Sequence, residues 1–133
     1  MSAHIELARG SYEAFAAGDV DAYIGFFTED VDWRVSAFLT GKDRYQGHDG
    51  IREFLADVVQ LEQEHGERFE VHLTEFSEVD EERVIGLGGG RIARHQNPLE
   101  FETGCLYRIV GGKISELEAY TSHEETRKAA GLS

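Results

Sequence analysis

The 133-residue sequence predicts an α+β fold in which helices gather at one end of a curled antiparallel sheet. Apolar residues recur at helical spacing near the N-terminus and again from about residue 50 to residue 65. Beyond Phe69 the pattern changes to alternation with period two, the mark of strands. That second half is also rich in glycine, which permits the bends and bulges a sheet needs in order to curl. A curled sheet with a long helix across its concave face encloses a pocket.

The elements follow in order. Ile5, Ala8, Tyr12, Phe15 and Ala16 form one apolar helix face, and Gly18 ends that helix because glycine accepts a left-handed closing conformation. Asp19 caps a second, shorter helix carrying Val20, Tyr23, Ile24 and Phe27. In "VDWRV" the period becomes two, with Val31, Trp33 and Val35 on one face and Asp32 and Arg34 on the other. "SAFLTGKDRYQG" reads as a loop, with room for a brief strand near Tyr45.

Asp49 is expected to cap a third helix along the stripe Ile51, Phe54, Leu55, Val58 and Leu61, closed by His65 and Gly66. Strands follow through Phe69, Val71 and Leu73, then "VIGLGGGRIAR", then "FETGCLYRIV" and "KISELEAYT". Gly111 and Gly112 supply the positive-φ pair of a tight hairpin turn. Ser122 and Glu125 read as a capping box opening a terminal helix that Gly131 stops. The length suits one domain over residues 1–133, and no repeat or linker divides it.

Composition excludes several classes of function. With 26 acidic and 13 basic residues the net charge is −13, a field that repels phosphate backbones and anionic headgroups. Neither nucleic acid nor a membrane surface is an expected partner. No apolar run reaches the roughly 18 residues of a membrane helix, and the acidic, amphipathic start is not expected to act as a targeting segment. One cysteine makes no internal disulfide, and the six histidines lack zinc-site spacing. The expectation is a cytoplasmic protein with no metal and no cofactor.

The stretches "YEAFAAGDVDAYIGFFTEDVDW", "YQGHDGIREFLADV" and "YRIVGGKISELEAYTSHEETRKAAGL" resemble the SnoaL-like polyketide-cyclase group of the nuclear transport factor 2-like superfamily. They match at the Gly-Asp between the first helices, the aromatic first strand, the glycine before the third helix and the Gly-Lys-Ile hairpin. The resemblance implies a cone-shaped barrel, a strongly curved mixed or antiparallel sheet wrapped around the N-terminal helices and followed by a short C-terminal helix. It further implies an apolar cavity inside the cone and a homodimer packed through the outer sheet face. The fold serves isomerases, cyclases, hydrolases and non-catalytic binders, so activity must be argued from the site.

Parity selects the candidates. The position that resembles the base aspartate of the ketosteroid isomerases is Val35, which cannot take a proton, while Asp32 alternates to the outer face. Arg91 and Arg94 have no acidic companion of the kind a limonene epoxide hydrolase uses. Cys105 shares an inward face with Phe101, Thr103 and Tyr107; either it fills core volume or it looks into the cavity, and a thiol there does little acid–base work. Tyr107 is a candidate hydrogen-bond donor, with a half-buried sheet aromatic as the alternative.

His48, at the helix entrance that this fold places near the cavity mouth, is the candidate proton shuttle, with Tyr45 as its companion. The alternative for His48 is a loop residue or a helix-start hydrogen bond. Trp33, Phe38 and Phe54 would supply apolar wall. His72, Glu116 and Glu118 are expected to face outward, and "GLGGG" to bend the sheet rather than bind phosphate.

Two readings stand. One is a cofactor-independent acid–base enzyme acting on a small, mostly apolar carbonyl or polycyclic compound. The other is a non-catalytic module that binds a small apolar or amphipathic molecule or dimerises. The first requires His48, Cys105 and Tyr107 to meet in one cavity.

Overall fold

A computed structural model describes residues 2–35, 41–93 and 97–132 of the chain. Helix α1 (Ala3–Ala16) is capped by Ser2, whose hydroxyl accepts from the Ile5 amide at 3.2 Å. Gly18 follows it with φ 73°, and Asp19 caps α2 (Val20–Ile24) by accepting from the Ala22 amide at 3.1 Å. Phe27 fits the helical spacing of α2 yet lies outside it. Gly25 ends the helix, and the run rich in β-branched and aromatic residues from Phe27 enters the sheet as β1 (Phe27–Arg34).

The brief strand near Tyr45 exists as β2 (Arg44–Gln46), antiparallel to β1 with Tyr45 opposite Trp33. Helix α3 (Gly47–His65) begins earlier than the sequence suggests. No side chain caps it, and Asp49 sits fully exposed in its first turn rather than at its cap. The reason is Gly47, whose φ of 71° swings the chain into the helix before Asp49 is reached. Its Cα packs so close to β1 that a Cβ would stand 3.1 Å from the Glu29 carbonyl oxygen. Gly66 closes α3 in the left-handed conformation, as expected.

The second half is β3 (Arg68–Glu78), β4 (Arg83–Ala93), β5 (Leu99–Val110) and β6 (Lys113–Tyr120), each antiparallel to the next. Strand β6 then pairs in parallel with β1, so the sheet is mixed, in the order β2-β1-β6-β5-β4-β3. Between Leu73 and Glu75 the register of β3 against β4 slips, a bulge that returns Phe76 to the face of Phe69, Val71 and Leu73. Gly88 makes the bulge possible: a Cβ there would lie 1.8 Å from the His72 carbonyl oxygen. The expectation that "GLGGG" bends the sheet therefore has a specific site.

The concave face and the helices share one core, in which Phe27, Val31, Ile51, Val84 and Ile114 are essentially unexposed. Burying each such side chain stabilises the fold by about 1.5–3 kcal/mol. On the convex face Ile85, Leu87 and Leu106 form a second cluster with Ala130, beneath α4 (His123–Ala129). Ser122 caps α4 by accepting from the Glu125 amide at 3.2 Å, and Thr126 packs directly onto Gly104 of β5. Among the described residues no helix is long and apolar enough to cross a membrane.

Candidate functional site

Between α1, α2, α3 and the concave sheet lies a cavity of about 100 Å³. Strand β5 contributes Phe101, Thr103, Cys105 and Tyr107, alternate residues that the two-residue period aims inward. Trp33 and Val35 enter from β1 and its end, Phe54 from α3, Leu117 and Ala119 from β6, and Phe69, Val71 and Leu73 from β3. From α1 come Ser11, Tyr12 and Phe15. The Tyr12 hydroxyl donates to the Val71 carbonyl at 3.0 Å and so pins the helix to β3.

The wall is therefore aromatic and aliphatic, and among the described residues no carboxylate, histidine, lysine or arginine lines it. Its polar groups are hydroxyls, one thiol and one indole. Tyr107 has the Cys105 sulfur and the Ser11 hydroxyl within hydrogen-bonding reach, and Tyr23 is close by. Burial pushes the Cys105 thiol up to about 12 and holds the Tyr107 and Tyr23 phenols well above their ordinary range. Each stays protonated at neutral pH and donates or accepts hydrogen bonds without surrendering a proton. At the rim, Tyr120 is raised to about 12, first by burial and then by its hydrogen bond to the Glu118 carboxylate.

Two polar atoms of the wall have no partner. The Trp33 indole nitrogen and the Thr103 hydroxyl are buried and make no hydrogen bond. Both residues are more than nine-tenths buried, Trp33 at 4 % and Thr103 at 7 % exposure.

The structure brings Trp33, Val35, Phe54, Cys105 and Tyr107 to one cavity. It does not bring His48 or Tyr45 to them. The His48 side chain turns back to β1, with Nε2 3.0 Å from the Phe27 carbonyl oxygen, because Gly47 folds the start of α3 down over that strand. This is the helix-start hydrogen bond named as the alternative to a proton shuttle.

Tyr45 lies behind the wall, edge-on to Phe54 and beside Trp33, and its hydroxyl donates to Asp57 at 2.9 Å. Phe38 and Arg94 lie outside the described residues. Arg91 is exposed, and Asp32 faces outward into Arg44 and Arg34, the Arg44 hydrogen bond holding its carboxyl below the usual range. His72 faces outward, Glu116 pairs with Arg108 at 2.6 Å, and Glu118 holds Tyr120.

Sequence reasoning missed Ser11, Tyr23 and Tyr120 as wall residues, whereas Thr103 was placed on the inward face with Cys105 and Tyr107. Ser11 sits between Ala8 and Phe15 on the apolar stripe of α1, where a hydroxyl is the exception that should draw notice. Tyr120 carries no such signal, because it reaches the rim only where β6 ends. Among the described residues no three His, Cys, Asp or Glu side chains gather as a metal site would require.

The curved mixed sheet closed over its helices, with an apolar pocket at its centre, defines an α+β cone of the nuclear transport factor 2-like class. Solved structures with this fold include TerC co-crystallized with polyporic acid, at 22% identity over 98% of this chain and 99% of that one, with a TM-score of 0.78. A nuclear transport factor 2-like protein of unknown function from Burkholderia pseudomallei matches at 22% identity, over 96% and 97% of the two chains, with a TM-score of 0.77. A third, from Burkholderia thailandensis, matches at 19% identity over 99% and 98%, with a TM-score of 0.75. At these identities the likeness is one of fold. No curated protein matches the chain. The SnoaL-like domain model matches residues 8–117, and the chain belongs to that family.

Proposed function

We propose that this protein binds a small, uncharged, mostly apolar molecule inside the cone, with Trp33, Val35, Phe54, Cys105 and Tyr107 as contact residues. The observation that carries this reading is an apolar cavity with no ionised side chain among the described residues of its wall. A cavity of about 150 Å³ lined by aliphatic and aromatic groups accommodates a benzene ring. At about 100 Å³ the present one suits a single small ring or a short branched chain. A polycyclic ligand would require the wall to move.

The binding role is favoured over acid–base catalysis by the placement of the titratable groups. A general base must reach the proton it removes and must titrate near neutral pH. His48 points to a backbone carbonyl outside the cavity, and the groups inside hold their protons to high pH. Tyr107 on this reading orients a ligand through a neutral phenol. The complex of TerC with polyporic acid is consistent with a cone of this kind receiving a small organic molecule. Assembly as a homodimer through the outer sheet face belongs to the same proposal, on the part of that face that α4 leaves open. Sedimentation equilibrium reads it directly, as twice the chain mass of 14.9 kDa or as the mass alone.

The test is a thermal-shift titration with cyclopentanone on the wild type and on Ala119→Phe, a change that fills the cavity from β6. Ligand binding to the folded state raises Tm with concentration. The expected result is a concentration-dependent rise in the wild type that the variant lacks. No rise in the wild type, or an equal rise in both, would contradict the proposal.

A further inference from the structure

We infer that Trp33 and Thr103 read a hydrogen-bond acceptor on the ligand, so that the cavity selects an uncharged carbonyl, ether or ester over a hydrocarbon of the same shape. This deepens the pocket reading above and rests on it. Buried polar groups in folded proteins are nearly always hydrogen-bonded, and each exception asks for a reason. Of three exceptions among the described residues, Thr28 lies away from the cavity, while the Trp33 indole N–H and the Thr103 hydroxyl belong to residues lining it. No protein atom partners either group, and an acceptor on a ligand held by this wall would supply one.

The chemistry of the two groups narrows the ligand. An indole N–H only donates, so its partner must be an acceptor; a hydroxyl can donate to the same kind of group. An ammonium ligand offers donors alone and leaves Trp33 unsatisfied. A carboxylate would accept, but it would have to leave water for a wall with no cation among its described residues, inside a chain of net charge −13. A neutral acceptor on an apolar body meets both conditions.

The two donors sit at different levels of the cone. Trp33 is in register with Leu117, and Leu117 with Tyr107, whereas Thr103 lies four residues before Tyr107 on β5, next to Phe101. Four strand residues span about 13 Å, so a small ring engages one donor at a time and each can be tested alone. At the Thr103 end a Cβ on Gly90 would lie 2.7 Å from the Thr103 oxygen and 2.3 Å from the Phe101 ring, so glycine lets both side chains pack against β4.

The experiment compares cyclopentanone with methylenecyclopentane, in which a methylene replaces the carbonyl oxygen without changing the ring. NMR titration gives both dissociation constants for the wild type, Thr103→Val and Trp33→Phe. Using the ratio of the two constants cancels any general loosening of the pocket by a variant. Losing one neutral hydrogen bond should shift that ratio toward the hydrocarbon by roughly five- to tenfold in at least one variant. Thr103→Val is nearly isosteric and guards against a Trp33→Phe protein that fails to fold.

An unchanged ratio in Thr103→Val, with Trp33→Phe either unchanged or unfolded, would overturn the inference and assign the donors to cavity water, while the pocket reading stands. Failure of both probes to bind the wild type would overturn the pocket reading and this inference together.

Discussion

His48 Nε2 lies 3.0 Å from the carbonyl oxygen of Phe27, and that contact gives the histidine a structural task. A carbonyl can only accept, so the ring nitrogen carries the proton and donates it to the first residue of β1. The bond ties the entrance of α3 to the sheet where Gly47 turns the chain.

His48→Ala should therefore cost about 1 kcal/mol of folding stability, the net worth of a half-buried hydrogen bond. Urea denaturation measures the loss. Binding of cyclopentanone at saturating protein stability should be unchanged. A variant with wild-type stability and abolished binding would return His48 to the site.

The alkaline limb of stability is set inside the cavity. Cys105 is raised from its ordinary 9.0 to about 12 by burial, and the Tyr107 and Tyr23 phenols are raised for the same reason. Because the folded state holds these protons longer than the unfolded chain, stability is intact below about pH 9 and falls as pH rises toward 12. The tyrosinate ultraviolet band of these residues should appear together with unfolding rather than before it. Burial disfavours the thiolate and shields the sulfur, so iodoacetamide should label Cys105 only after denaturation. Rapid labelling of the native protein at about pH 8 would contradict this placement.

Adjacent glycines of β4 should behave in opposite ways. At Gly88 a Cβ would collide with the backbone of the β3 bulge, 1.8 Å from the His72 oxygen and 2.7 Å from the Leu73 Cα. At Gly89 the nearest atom is the Phe101 oxygen at 3.8 Å. Gly88→Ala should lose at least about 2–3 kcal/mol by forcing the strands apart, whereas Gly89→Ala should stay within about 1 kcal/mol of wild type. Chemical denaturation of the two variants decides it; equal stabilities would mean that the bulge is not where the sheet bends.

These glycines also show where the sequence stops informing. Their number announces a curled sheet, but only the register reveals that Gly88 faces a bulge and Gly89 open space. Parity along β5 is local and rigid, so the inward set of Thr103, Cys105 and Tyr107 is legible in the sequence. The direction of His48 was not, because it depends on a positive φ at Gly47 and on packing against β1, two facts remote from its own spacing. Tyr45 escaped for a similar reason: a three-residue strand turned it behind Trp33 and Phe54, onto Asp57. The parallel pairing of β1 with β6 joins the two ends of the chain, which no local pattern records.

The most direct test of the account is a two-dimensional NMR titration of the wild-type protein with cyclopentanone, followed residue by residue. The account predicts shifts concentrated at Thr103, Cys105, Leu117 and Ala119, with the signals of Gly47, His48 and Asp49 unmoved. Shifts centred on the start of α3, with β5 and β6 silent, would contradict it and place the binding site at the helix entrance instead.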